Sequence, residues 1–208
     1  RLRREFSAPV TVDDGVRCMA LAEKRHGLAR GLDTFLFVYI GRGVGSGIVL
    51  DNRIYRGANG ICGEFGHITV RENGPLCVCG NRGCLEAVAS TSAILARVRD
   101  LLAANVHSAL QGAGPEMGLA ELSAAARGGD KVASMVIAET EESIGIGVAD
   151  LINVFDPGTV ILAGEVVASL HGLMLDGIQR IVRRRAIHSI SQRTRILASA
   201  FDADSAAL

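Results

Sequence analysis

The apolar positions change period several times along the chain, and each change marks an element. Residues 8–12 form a short apolar run that reads as a strand, and Asp13 or Asp14 can then cap a helix that carries Met19, Leu21 and Ala22 towards Leu28. Thr34 to Ile40 is β-branched and aromatic. Glycine alternates with other residues from Gly41 to Gly47, and Ile48, Val49 and Leu50 resume strand character before Asp51 and Asn52 turn the chain. This pattern predicts successive antiparallel strands joined by glycine-rich turns.

Helical spacing returns from Thr91 to Leu102 and, after a glycine-rich loop with one proline, from Leu119 to Ala126. A longer helical rhythm begins after Asp130, runs from Lys131 to Phe155 and stops at Asp156-Pro157-Gly158. Thr159 to Leu162 reads as a buried strand ending at Ala163-Gly164, Val166 to Arg185 as a helix, and Thr194 to Ala198 as a last strand. There is no internal repeat or low-complexity block. Strands alternating with long helices, together with hairpins, predict an α/β protein whose ligands gather at strand ends and glycine turns.

Composition narrows the function classes. The 208 residues are 49% hydrophobic, enough to bury the core of one domain or one and a half. Lysine and arginine number 22 and so do aspartate and glutamate, which leaves no basic excess to draw this segment to nucleic acid or an anionic membrane. The charged start, Arg1 to Phe6, is not followed by an apolar stretch of signal-peptide type, and no apolar run reaches spanning length. A cytoplasmic location is the expectation.

Five cysteines are too few and too unevenly spaced for a disulfide scaffold, and three of them crowd into the eight positions from Cys77 to Cys84. With His67 upstream, and Gly80 and Gly83 placed where the backbone must fold sharply, they offer three thiolates and an imidazole to one centre. Such a set suits zinc in a reducing compartment, and its closed tetrahedron makes the ion structural. Cys18 and Cys62 read as packing residues.

The run Gly63-Glu64-Phe65-Gly66-His67, followed by Cys77-Val78-Cys79-Gly80-Asn81-Arg82-Gly83-Cys84-Leu85-Glu86, resembles the signature of the ROK family of repressors, uncharacterised reading frames and sugar kinases. The resemblance extends from Pro9 to Ala163-Gly164. It implies an actin-like ATPase fold (sugar kinase-like, ribonuclease H-like), a sugar held between two lobes, and a homodimer or homotetramer. Residues 1–12 would end the N-terminal lobe, most of which would precede residue 1. Residues 13–208 would form the C-terminal lobe, with a zinc-binding loop over 67–86.

The resemblance also assigns a sugar pocket. It places Asp14 at the hydroxyl-binding or catalytic position and Asp13 where asparagine is usual, and it adds Glu64, His67 and Glu86 around the ring. His67 would then touch both zinc and sugar. Without the resemblance, the aspartate pair is simply a helix cap.

Two functions follow from the same pocket. A hexose kinase would use Asp14 as general base, with ATP and Mg²⁺ held near Gly41, Gly43, Gly45 and Gly164. The family's kinases look like Gly-Thr-Gly at the glycine turn, whereas this chain has Arg42, as its regulators often do. Glu165, after Ala163-Gly164, adds a negative charge where an anionic ligand would lie. The preferred expectation is therefore the sugar-binding effector domain of a ROK repressor of carbohydrate metabolism, contacting DNA only through an N-terminal domain before residue 1. A third reading, an oligomerisation module without sensing, would use the 131–155 helix as interface, although that helix reads better as core.

Overall fold

The computed structural model describes residues 5, 9–10, 12–114 and 116–199. The strand expected over 8–12 includes Ala8 and Thr11, which lie outside the described residues. Five strands form one mixed sheet: β1 (Phe35–Ile40), β2 (Val44–Leu50), β3 (Arg53–Ile54), β4 (Thr159–Ala163) and β5 (Arg195–Ala198), in the order β3-β2-β1-β4-β5. β1 pairs antiparallel with β2 and parallel with β4, and β4 pairs parallel with β5. The C-terminal ends of β1, β4 and β5 therefore lie at one end of the sheet.

Both faces of β1 are covered, which is why it reads as a continuous apolar run. Leu36, Val38 and Ile40 point to a large core shared with the long helices, while Phe35 and Phe37 point to a smaller one against α1 (Gly15–His26). β4 repeats the division, with Val160 and Leu162 on one side and Ile161 and Ala163 on the other.

The large core is built on α5 (Lys131–Phe155) and α6 (Glu165–Arg185). Val132, Val136, Ile144, Val148 and Ile152 recur at helical spacing on α5 and are fully or almost fully buried. α5 packs on α2 (Leu85–Ala89), α3 (Thr91–Ala103), α4 (Leu119–Arg127) and α6. Its apolar face is thus used inside the chain. Asp130 caps its first turn by accepting from Ala133 N at 2.9 Å, and Asp156, in the left-handed region at φ 45°, ends it.

The structure departs from the expected elements in three places. β2 begins at Val44, not at residue 48, so Gly45 and Gly47 lie inside a strand. They are small because α1 crosses them: a Cβ at Gly47 would sit 2.6 Å from Ala20 Cβ, and one at Gly45 would sit 3.2 Å from Val16 Cγ2. α1 ends at His26, short of Leu28. Two short helices, α2 and α7 (His188–Ser191), are too brief to show a period. Among the described residues, no helix is long and apolar enough to cross a membrane.

Candidate functional site

The site forms where α1, the β1–β2 hairpin, the 62–67 segment and α2 meet. Asp14 is the N-cap of α1, its Oδ1 accepting from Val16 N at 2.9 Å and Arg17 N at 3.2 Å. The carboxylate is exposed and also lines a cavity of about 210 Å³, so capping and lining are both its work. Gly43, Gly45, Glu64 and Glu86 line the same cavity.

Each wall has a local cause. Gly63, at φ +109°, brings its carbonyl within 2.8 Å of Ser46 N and lays the 62–67 segment along β2. A 3₁₀ turn over Phe65–His67 follows, with Phe65 buried in the large core against Gly147 of α5. Glu86, in the first turn of α2, accepts from Val44 N at 2.9 Å and so ties that helix to the hairpin.

Asp13 lies outside this cavity. It lines an adjoining shallow concavity and accepts from Arg17 Nη1 at 3.2 Å, from Asp14 N at 3.0 Å and from Arg56 Nη2. Burial pushes its carboxyl up, but the Asp14 amide, Arg56 and Arg17 outweigh that and hold it below the usual carboxylate range. Arg17 also donates to Cys62 O at 2.7 Å, fastening the 56–62 loop to α1.

Below the pocket, His67, Cys77, Cys79 and Cys84 each present a ligand atom, and all four atoms lie within 4.8 Å of one another. This group could hold a metal ion. Cys77 N donates to Asn81 O at 2.8 Å and Gly80 N to Cys77 O at 2.9 Å, curling the loop so that its thiols converge. An isolated bridge between Thr69 and Cys84 brings the distant His67 alongside. Burial and the neighbouring Cys79 and Cys77 thiols push Cys84 up to about 12, whereas the Asn81 backbone N–H and the Cys77 thiol pull the exposed Cys79 down.

The His67 ring bridges the two halves. Nδ1 is 3.5 Å from Cys77 Sγ, and Nε2 is 3.8 Å from Glu64 Oε2 on the cavity wall. His67 itself does not line the cavity.

The glycines singled out for a nucleotide divide. Gly43 and Gly45 line the carboxylate cavity, while Gly41 accepts from Thr91 N at 2.8 Å through its carbonyl. Gly164, at φ +98°, opens α6, and next to it Glu165 Oε1 accepts from Thr91 Oγ1 at 2.6 Å. Sequence reasoning missed this Thr91–Glu165 bond. It also missed Tyr39, Ser46 and Cys62 as cavity-lining residues. Cys62, read as packing, does touch the large core but presents its other side to the cavity.

Comparison with known proteins places this arrangement. The ROK family profile matches residues 1–208. The chain is 35% identical over 188 residues to a xylose repressor of Caldicellulosiruptor bescii, covering 89% of this chain and 47% of that protein. It is 33% identical over 205 residues to the DNA-binding transcriptional dual regulator NagC of Escherichia coli K12, covering 99% and 50%. The chain thus spans about half the length of the curated relatives it matches. Among solved structures, it superposes with a TM-score of 0.90 at 33% identity on a ROK family transcriptional regulator, a homolog of the E. coli MLC protein, covering 99% of this chain and 51% of that one. A ROK family glucokinase from Streptomyces griseus, in complex with glucose and AMPPNP, follows with a TM-score of 0.85 at 33% identity, covering 99% and 68%. The mixed sheet is therefore the sugar kinase-like fold shared by regulators and kinases, and the chain belongs to the ROK family.

Proposed function

We propose that this chain is the sugar-binding effector part of a ROK transcriptional repressor, with one monosaccharide ring seated in the cavity walled by Asp14, Glu64 and Glu86. The observation that carries the reading is the convergence of these three carboxylates, from three separate segments, on a single cavity of about 210 Å³. Carboxylates are strong acceptors for ring hydroxyls in a partly dry site. Sugar occupancy would shift the angle between this lobe, residues 13–208, and the one before it. DNA affinity would follow through a separate DNA-binding domain.

The proposed metal is a structural zinc ion. Zinc bonds of about 2.3 Å to sulfur and 2.0–2.1 Å to nitrogen, at tetrahedral angles, require edges of about 3.8 Å between sulfurs and about 3.6 Å between sulfur and nitrogen. Cys79 Sγ and Cys84 Sγ are 3.6 Å apart, and Cys77 Sγ lies 3.5 Å from His67 Nδ1. Four protein donors leave no open position, so the ion would fix the walls and supply no reactive water.

A kinase reading rests on the glucokinase likeness. Glu165 argues against it, because its carboxylate stands at the N-terminus of α6 beside the glycine hairpin and is bonded to Thr91, where nucleotide phosphates would need positive potential.

The test uses the intact protein, titrated calorimetrically with glucose, xylose and N-acetylglucosamine and assayed for ATP turnover with each. The expected result is binding of one sugar without turnover, lost in Asp14→Ala and weakened in Cys79→Ser, with zinc content falling in the latter. Turnover on the order of 1 per second or faster would establish the kinase instead.

A further inference from the structure

At the opposite end of the sheet from the sugar cavity, the end of α6, α7 and the start of β5 enclose an open concavity of about 760 Å³. Between residues 180 and 195 the chain carries six arginines and no acidic residue, although it is neutral as a whole. Arg180 reaches Glu141 at 3.4 Å, but among the described residues Arg183, Arg184, Arg185 and Arg193 form no ion pair. All four are exposed.

Two ordinary causes explain part of this charge. Cations in the last turn of α6 complement its dipole, and charged side chains protect β5, the outermost strand on its side of the sheet among the described residues, from pairing. Neither requires that the cations face one concavity from separate elements. Arg183 of α6 and Arg195 of β5 both line it, with His188, Gln192 and Thr194 between them. His188 and Gln192 pair with each other at 2.9 Å, and Thr194 Oγ1 donates to Pro157 O at 2.9 Å. The donors left for a ligand are therefore the two guanidiniums, of which Arg195 uses one Nη2–H on Thr159 Oγ1 at 3.2 Å. Guanidinium forks approaching from two sides suit a tetrahedral oxyanion.

We infer that this concavity is a second ligand site, which binds a small phosphate ester between Arg183 and Arg195. The phosphate engages the two guanidiniums, and the remaining volume houses the organic part of the molecule. Because the site lies at the far end of β5 from the hairpin, it can be occupied together with the sugar cavity.

Calorimetric titration of the intact protein with inorganic pyrophosphate and, separately, with a short DNA duplex of unrelated sequence tests the inference. One saturable pyrophosphate site per chain is expected. The Arg183→Gln/Arg195→Gln double variant should weaken it by about tenfold or more. Arg184→Gln, outside the lining, should leave it within a factor of about two, and Arg183→Lys should fall between, since it keeps charge without the fork. Sugar affinity should be the same in all of these proteins, which separates failure here from failure of the sugar-cavity reading. The inference is overturned if pyrophosphate shows no saturable binding, if the double variant binds it undiminished, or if only the duplex binds, with affinity falling steeply with salt as a nucleic-acid contact would.

Discussion

Gly147 of α5 is the point at which the long helix meets Phe65, next to the carboxylate-lined cavity, and alanine there should perturb the proposed sugar site selectively. A methyl group at 147 would lie 2.8 Å from Phe65 Cζ, 3.2 Å from Phe65 Cε2 and 3.3 Å from Ile68 Cδ1. Carbon atoms rest at about 3.5–4.0 Å, so the ring must retreat by roughly 1 Å. Phe65 is 3% exposed and sits between Glu64 and His67, so the retreat displaces the cavity wall and the bridging imidazole together. Overpacking of this kind costs about 1–3 kcal/mol, and replacing a helical glycine by alanine returns about 1 kcal/mol. The net loss of stability is therefore small, on the order of 0–2 kcal/mol.

Gly145 provides the control, because a methyl there would lie 2.7 Å from both Cβ and Cγ2 of Ile181 on α6, away from the cavity. Urea denaturation should give similar small losses for Gly145→Ala and Gly147→Ala. Hydrogen exchange should separate them. Only Gly147→Ala should speed exchange at Ser46, His67 and Ile68, whose amides donate to Gly63, Glu64 and Phe65. Sugar affinity should fall on the order of tenfold in that variant alone, because a misplacement of about 1 Å is enough to loosen a built site. Identical exchange profiles for the two variants, or unchanged exchange and affinity in Gly147→Ala, would refute the positioning role.

Asp130→Ala should destabilise the fold by about 2–3 kcal/mol in urea denaturation, since it removes the α5 cap and the bonds from Ala109 N at 2.6 Å and Ser108 Oγ at 3.0 Å. Burial pushes the Asp130 carboxyl up, but these donors outweigh it and hold the pKa below the usual range. The stabilisation is therefore complete above the unfolded value of about 3.9 and is lost as pH falls through the lower folded one, so the gap between wild type and variant should close below about pH 4. A gap of constant size from pH 7 to pH 3 contradicts the assignment. Glu165→Gly, which removes the carboxylate held by Thr91, should raise affinity for magnesium-AMPPNP in equilibrium dialysis, and unchanged affinity would mean that Glu165 is not what disfavours a nucleotide.

How much could be read from the chain depended on whether the governing contact was local. β1 and β4 are legible because covering both faces demands unbroken apolar runs, and α5 because its buried residues keep one period over 25 positions. β2 is half legible. Gly45 and Gly47 resemble turn residues, and only the passage of α1 over the strand explains why glycine stands there. The cysteine spacing is local, and the loop that curls it is local too, so the ligand group is visible at once. Which carboxylates share a cavity is not local: the ROK resemblance named Asp14, Glu64 and Glu86, which line one cavity, together with Asp13 and His67, which do not line it. The Thr91–Glu165 bond spans 74 positions, and nothing in either neighbourhood announces it.

The ligand cluster and the cavity are two ends of one construction, joined at two points. At the first, the His67 ring turns Nδ1 to Cys77 and Nε2 to Glu64, so an ion held at Nδ1 would fix the ring plane and with it the partner that the Glu64 carboxylate meets. At the second, Cys84 is the N-cap of α2 and Glu86 follows in its first turn, so the same ion would hold the helix that brings Glu86 to Val44 N. The two carboxylates would therefore be braced from opposite directions through His67 and Cys84, neither of which lines the cavity. Asp14 has no such brace, being held by the amides of its own helix. In the proposed effector pocket, one wall would be set by α1 and two would be braced through the cluster of His67 and the three cysteines, so that ligand binding would be felt along both.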